Sequence, residues 1–428
     1  MNFSDSEIVA SIMAQEGYVS TRNIKEADLI LVNTCSIREN AEQRVRKRLQ
    51  NLRSMKKNRP DLKIGLLGCM AERLKEKMLE EEQILDIIVG PDAYRDLPRL
   101  LQKAGNGQKA INTILSSVET YEDIVPVRYD SNKVSGYISI MRGCENFCAY
   151  CVVPYVRGQE RSRDVNSIIS EATELFSQGY REVTLLGQNV NSYCWSDELP
   201  GTINFAQLLE KVSMINPALR VRFATSHPKD LSDELLYVIS AHSNICRSIH
   251  LPVQSGSTTI LNKMNRGYSR EIYMKRIESI RRILPGCAIS TDIITGFCDE
   301  TEEDHQQTLF LMKWAEFDFA YMFKYSERPD TQAADLYKDN VPEETKKRRL
   351  NEIIALQHSL SDKSNKKDIG AVFEVLIEGL SKRSGDHYAG RNSGNKVVIF
   401  PKTNNKPGEY TYVKILNSTS ATLIGEET

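Results

Sequence analysis

Six apolar segments of strand length, at 136–141, 182–186, 221–224, 248–251, 288–294 and 319–323, are each separated by a stretch long enough for a helix. Parallel strands need such crossovers, so the repeat predicts a full or partial (β/α) barrel with its chemistry at the carboxyl ends of the strands. The first ~110 residues alternate as well. There Ser4-Asp5-Ser6-Glu7 reads as a capping box opening a helix that Gly17 closes, 27–33 and 63–68 as buried strands, and 39–57 as a basic amphipathic helix. Both strands run into cysteines, Cys35 and Cys69, at the edge where open α/β sheets hold ligands. The polar stretch 104–128 reads as a linker. Beyond a charged helix at 342–367 the period changes to two, and five short segments, 373–377, 385–390, 396–400, 409–415 and 420–425, predict a small all-β barrel. The fold class is therefore α/β in three domains: a parallel-sheet domain at 1–117, a barrel core at 130–365, and a small β-barrel at 366–428.

Composition narrows the function classes. The chain has 428 residues, 40% of them hydrophobic, which is ample for a core in each domain. Its 56 basic and 57 acidic residues nearly cancel, so a nucleic-acid partner has to be held by a local patch. The first residues carry neither a basic nor an apolar run, and no stretch is apolar enough to cross a membrane, which points to the cytoplasm with no membrane partner. Nine cysteines, an odd number, read there as reduced thiols, with close spacing marking metal or catalytic use.

The closest spacing is Arg142-Gly143-Cys144-Glu145-Asn146-Phe147-Cys148-Ala149-Tyr150-Cys151, on a turn after the barrel's first strand. Three thiolates on one short loop suit three irons of a 4Fe-4S cluster, with the fourth iron open to a chelating substrate. Zinc usually takes a fourth nearby Cys or His, and the next cysteine is Cys194. Cys194, Cys246, Cys287 and Cys298 stand at no such spacing and read as packing or surface thiols.

With an aromatic residue before its third cysteine, the loop resembles that of the radical S-adenosylmethionine (SAM) superfamily. The resemblance implies a partial (β/α)6 barrel and a cluster on Cys144, Cys148 and Cys151 whose open iron binds SAM and whose electron cleaves it to a 5′-deoxyadenosyl radical. It places Tyr150 against the adenine. Asn33-Thr34-Cys35, Gly68-Cys69-Met70-Ala71, the 186–193 stretch Leu-Gly-Gln-Asn-Val-Asn-Ser-Tyr, His250-Leu251-Pro252-Val253-Gln254-Ser255-Gly256-Ser257 and 291–297 extend the likeness to the methylthiotransferases over nearly the whole chain. The 119–124 stretch and Gly390-Arg391-Asn392-Ser393-Gly394-Asn395-Lys396 resemble the MiaB type of that family, and the carboxyl-terminal barrel looks like an RNA-binding TRAM domain.

This likeness implies methylthiolation of isopentenyladenosine 3′ of the anticodon in tRNA. One SAM methylates a sulfur on an auxiliary 4Fe-4S cluster, and another supplies the radical that abstracts the C2 hydrogen. The implied partners are a tRNA anticodon stem-loop and a flavodoxin-like or ferredoxin-like electron donor, with the chain acting as a monomer. The family holds the auxiliary cluster on three cysteines. Cys35 and Cys69 match two, and the third is absent from this sequence, which is expected to begin a few residues late or to use another ligand. Gln188, Asn191, Gln254 and Ser255 at strand ends are candidates to hold SAM or substrate, as are Gly296 and Glu300 near the SAM pocket. Arg157, Arg161 and Arg163 are candidates for RNA phosphate, and so are Lys382, Arg383, Arg391 and Lys396, with Tyr388 for stacking. The alternatives are a methylthiotransferase for threonylcarbamoyladenosine or a protein side chain, and a non-catalytic iron-sulfur RNA-binding sensor.

Overall fold

Short apolar runs, two of them ended by Gly68 and Gly90, make the amino-terminal sheet. The computed structural model describes residues 1–34, 39–129, 133–196 and 201–428. Strands β1 (Leu29–Thr34), β2 (Lys63–Gly68), β3 (Ile87–Val89) and β4 (Ala110–Asn112) lie side by side in that order, all parallel. Such strands are buried on both faces, which is why β3 is Ile-Ile-Val and β2 carries Ile64, Leu66 and Leu67 among its glycines. On one side Leu49 and Leu52 of α2 (Glu39–Asn58) pack with Met70 and Met78 of α3 (Cys69–Glu81) against Ile64, Leu66 and Ile88. On the other, Ile8, Val9 and Ile12 of α1 (Asn2–Gln15) meet Leu97 and Leu100 of α4 (Leu97–Gly105).

Two local expectations fail here. The stretch read as a linker supplies β4, and its Tyr121 and Ile124 enter the core, Tyr121 accepting a hydrogen bond from the Tyr94 amide (3.0 Å). The capping box does not form. Helix α1 starts before it, at Asn2, and Ser4, Asp5 and Glu7 are buried within it because the two carboxylates are drawn into ion pairs with arginines remote in sequence.

By its contacts the chain forms two compact units, and the first, Met1–Tyr129, also takes in Met141–Phe147 and Cys151–Arg163. The added segments carry a short antiparallel pair, Met141–Arg142 with Arg161–Ser162, and the one-turn helix α5 (Val153–Arg157).

The second unit holds the six expected barrel strands: β5 (Ser135–Ser139), β6 (Glu182–Leu186), β7 (Arg220–Ala224), β8 (Ser248–His250), β9 (Ala288–Thr295) and β10 (Phe319–Lys324). They form two parallel trios in chain order, with a parallel bridge between Val221 and Ile245 linking β7 to the segment before β8. A long helix, α6 (Glu343–Lys367), is tied to the start of β10 through Gln357, which donates to the Phe317 carbonyl (2.9 Å).

After α6, strands β11 (Val372–Ser381), β12 (Ser384–Arg391), β13 (Val397–Pro401), β14 (Tyr410–Ser418) and β15 (Leu423–Glu427) close a barrel around Val375, Ile377, Val398, Phe400 and Val413. The Arg391-Asn392-Ser393 turn is a seam to the larger barrel, with Arg220 donating to the Arg391 carbonyl (2.7 Å) and Arg222 to that of Asn392 (2.8 Å). Tyr388 is not a stacking residue. It is buried in the barrel core, its hydroxyl on the Asn405 carbonyl (2.8 Å). Lys396 is held by Asp368 (2.7 Å) and Arg391 by Glu378 (2.9 Å), which leaves Lys382 and Arg383 as the exposed cations of the expected patch. No helix among the described residues is long and apolar enough to cross a membrane.

Candidate functional site

In the first unit the chain turns from β2 into α3 at Gly68, whose φ of +86° and close approach to the Thr34 carbonyl exclude a side chain. That turn places Cys69 as the first residue of α3, buried against Val152 and Val156. Arg157 of α5 donates Nε to the Cys69 sulfur (3.3 Å) and Nη2 to Asp5 Oδ2 (2.6 Å), and Arg142 takes the other Asp5 oxygen (3.0 Å). Burial pushes the Asp5 carboxyl up, but the Arg157 and Arg142 guanidiniums outweigh it and hold the group below the usual carboxylate value. Glu72, one turn beyond Cys69, is pushed up to about 7 by burial, with Lys75 opposing. Arg157 Nη1, Asn33 Oδ1 and Glu72 Oε2 are buried with no hydrogen-bond partner among the described residues. Cys35, the second cysteine expected at this edge, lies outside the described residues.

The same geometry corrects the phosphate assignment for the arginines that follow the cysteine loop. Arg157, Arg161 and Arg163 are all buried, and Arg161 binds Asp92 (3.0 Å) and the carbonyls of Ser116 and Glu119. Solvated arginine and a buried ion pair look alike in a sequence when the partner carboxylate is far away along the chain.

The cysteine loop begins at Gly143, whose φ is +81° and where any side chain would run into the Gln159 carbonyl. Cys144 donates its amide to the Gly158 carbonyl (3.1 Å), and its sulfur accepts from Asn146 (3.5 Å). Cys144 and Cys151 are half-buried and Cys148 is buried. In the second unit, Ala149 packs against Met264 and Phe297. The Cys148 sulfur there accepts a hydrogen bond from Arg266 Nη1 (3.2 Å), and the same nitrogen reaches the Tyr150 hydroxyl (3.4 Å). Arg266 also donates to the Pro252 carbonyl (2.8 Å) and to the Tyr268 hydroxyl (3.0 Å), and it is 5% exposed. No carboxylate among the described residues pairs with it.

The candidates at the strand ends divide. Both side-chain polar atoms of Gln188 and Oε1 of Gln254 are buried without partners, and Gln254 sits at φ +73°. Those two are open to a ligand. Asn191 is half committed, its Oδ1 accepting from the His227 amide (3.0 Å) while Nδ2 has no partner. Ser255 is buried and accepts from the Ser257 amide (3.2 Å), beside Thr308. Glu300 is spent on the Gly296 amide (2.6 Å) and Arg349 (2.9 Å), so it braces the loop. Asn189, Ser226 and His227 carry no signal in the sequence that marks them as site residues. A Thr-Ser-His-Pro turn has no periodic signal, and what marks these residues is burial without partners. Cys246 and Cys287 are pushed up to about 11 and about 12 by burial, as packing thiols are.

These residues fit an iron-sulfur cluster and a polar ligand. A buried cation on the Cys148 sulfur with no carboxylate of its own suits an anionic thiolate-ligated centre, and the unpartnered atoms of Gln188 and Gln254 suit a ligand rich in hydrogen-bonding groups.

The comparisons agree. Residues 138–312 match the radical SAM superfamily, 366–427 the TRAM domain, and 1–90 the uncharacterized protein family UPF0004. A radical SAM methyltransferase, TsrM from Kitasatospora setae, solved with cobalamin and a 4Fe-4S cluster bound, shares the fold at a TM-score of 0.59 and 14% identity, over 77% of this chain and 70% of that one. The tRNA-2-methylthio-N(6)-dimethylallyladenosine synthase of Amoebophilus asiaticus (strain 5a2) is 58% identical over 100% of this chain and 90% of its own length. The enzymes of that name from Parabacteroides distasonis and Christiangramia forsetii are 56% and 54% identical, again over 100% of this chain and 93% and 91% of theirs. Matched along its full length at this level, and carrying radical SAM and TRAM domains, the chain belongs to the tRNA-2-methylthio-N(6)-dimethylallyladenosine synthase family, a methylthiotransferase branch of the radical SAM enzymes.

Proposed function

We propose that this protein methylthiolates tRNA, converting N6-isopentenyladenosine at position 37, 3′ of the anticodon, to its 2-methylthio derivative. Full-length identity of 54–58% to relatives of that name carries the reading. Cys144, Cys148 and Cys151 hold the radical SAM 4Fe-4S cluster, and Cys35 and Cys69 contribute to a second, auxiliary one. Gln188 and Gln254 take polar groups of SAM, and Tyr150 lies against its adenine. When bound, the clusters and SAM supply the one-electron chemistry, the sulfur and the methyl group.

The chain's own residues bind, orient and exclude water. Arg266 holds its charge on the Cys148 sulfur and braces Tyr150. Ala149 of the loop packs with Met264 and Phe297 in a buried apolar cluster, which excludes water from that side of it. An anticodon loop is already unpaired, so presenting its base costs at most ~a few kcal/mol. Lys382 and Arg383 give the TRAM domain exposed cations for RNA phosphate. The protein works in the cytoplasm as a monomer supplied by a flavodoxin-like or ferredoxin-like donor.

The test is mass spectrometry of an isopentenylated anticodon stem-loop after anaerobic incubation with cluster-reconstituted protein, SAM, sulfide and reductant. A methylthio product on that loop is expected. Thiolation confined to a threonylcarbamoyl-modified loop would overturn the substrate assignment.

A further inference from the structure

Four polar side chains of the second unit, on two loops that touch, each have a buried hydrogen-bonding atom left over. They are Asn189 Oδ1 and Asn191 Nδ2, beyond β6, and Ser226 Oγ and His227 Nε2, beyond β7. Asn189, Ser226 and His227 are 2%, 3% and 5% exposed, so bulk solvent does not serve them. The loops are locked together by Val190 donating to the Thr225 carbonyl (3.0 Å) and His227 to Asn191 Oδ1 (3.0 Å), and Ser226 is tied to the His250 carbonyl at the end of β8 (3.3 Å). Thr225, a β-branched residue, is held at φ +74° to make this turn. Buried donors and acceptors without partners are costly, and several on one pair of loops mark a place where a ligand completes them.

The roles of the atoms are set by the partners they already have. His227 Nδ1 accepts the Lys229 amide (3.3 Å), so Nε2 carries the proton and donates. Asn191 Oδ1 is occupied, which leaves its Nδ2 as a second donor. Asn189 Nδ2 gives to Asp230 (2.7 Å), which leaves its Oδ1 as an acceptor. Ser226 works either way. Burial, then the charges of Arg266 and Lys229, push the imidazole down to about 2, so it stays neutral. A neutral set of two donors, one acceptor and a hydroxyl matches a heteroaromatic base that has ring nitrogens to accept and an exocyclic N–H to give.

We propose that His227, Ser226, Asn191 and Asn189 form an adenine-binding subsite at the carboxyl ends of β6 and β7. This rests on the methylthiotransferase reading, under which two ligands carry adenine: SAM and the target nucleotide of the RNA. The shared chemistry is the base edge, and the experiment separates the two sources.

The test uses cluster-reconstituted wild type, His227→Gln, which keeps an N–H near the place of Nε2, and His227→Leu. Binding of SAM is read by equilibrium dialysis, and binding of isopentenylated and abasic anticodon stem-loops by fluorescence anisotropy. Loss of about tenfold affinity in His227→Leu is expected for one adenine ligand, with His227→Gln recovering most of it. If the loss falls on SAM, the adenine is the cofactor's. If it falls on the isopentenylated loop and not on the abasic one, the adenine is the substrate's. Unchanged affinity for both, in a wild type that still thiolates RNA, overturns the subsite and leaves the enzyme's function standing. Should His227→Leu fail to fold, Ser226→Ala is read in the same way.

Discussion

Two buried arginines meet cysteine sulfurs in this molecule, and they differ in what balances their charge. In the first unit Arg157 reaches Cys69 while gripping Asp5, a carboxylate it shares with Arg142. In the second, Arg266 reaches Cys148 with hydroxyl and carbonyl partners and no carboxylate among the described residues. Arg157 has a carboxylate before any ligand arrives, though it shares Asp5 with Arg142 and keeps Nη1 to spare, whereas Arg266 has no carboxylate among the described residues and needs an anion to balance it. Arg157 is thus a strut of the fold that also touches sulfur, and Arg266 is a group turned toward the centre that Cys148 is proposed to hold.

The sharpest way to break this contrast is to remove each charge in the protein without its clusters. Arg157→Leu leaves Asp5 paired with Arg142 and removes a charged hydrogen bond, at an expected cost of ~2–3 kcal/mol in chemical denaturation, against less than about 1 kcal/mol for Arg266→Leu, which removes a buried cation that has no carboxylate. Equal losses would put both arginines in the same class.

A second contrast is electrochemical. With the cluster in place, Arg266→Gln withdraws a positive charge from the sulfur and makes reduction harder. The reduced fraction at a fixed donor potential is expected to fall about tenfold, ~59 mV for one electron, in an EPR-monitored redox titration. Arg157→Gln is expected to leave that potential where it is.

The smallest effect separates two acids of the Cys69 region by pH. Glu72 sits above the ordinary carboxylate value, so the folded state holds its proton more tightly than the unfolded state, and stability falls as pH rises from about 4.5 toward about 7. Asp5 is held low, so its contribution is intact at neutral pH and is lost as pH falls through its folded value. Glu72→Gln is expected to gain roughly 1–2 kcal/mol more at pH 8 than at pH 5 in thermal or urea unfolding. A gain that is the same at both pH values would remove the buried carboxylate from the comparison.

Much of the fold was legible from local pattern. The six barrel strands, the parallel β1–β2 pair and the five-stranded closing barrel all follow from hydrophobic period and turn residues, which are properties of neighbours in sequence. What failed depends on partners far along the chain. Ser4-Asp5-Ser6-Glu7 has the composition of a cap, yet Asp5 answers to Arg142 and Arg157, and Glu7 to Arg128. Arg161 reads as a phosphate contact until Asp92 is seen beside it, and Tyr388 as a stacking residue until the barrel closes over it. The cysteine loop stood out because its spacing is itself the signal. Arg266 and His227 carry no spacing of that kind, and their burial beside sulfur and unpartnered polar atoms is visible only in three dimensions.

The most direct measurement is the modified-nucleoside profile of total tRNA from cells lacking their own methylthiotransferase, complemented with this chain or with Cys148→Ala. The wild-type chain is expected to convert isopentenyladenosine to its 2-methylthio derivative, and Cys148→Ala to leave it unconverted. Conversion by Cys148→Ala, or none by the wild type with both proteins expressed, would contradict the assignment.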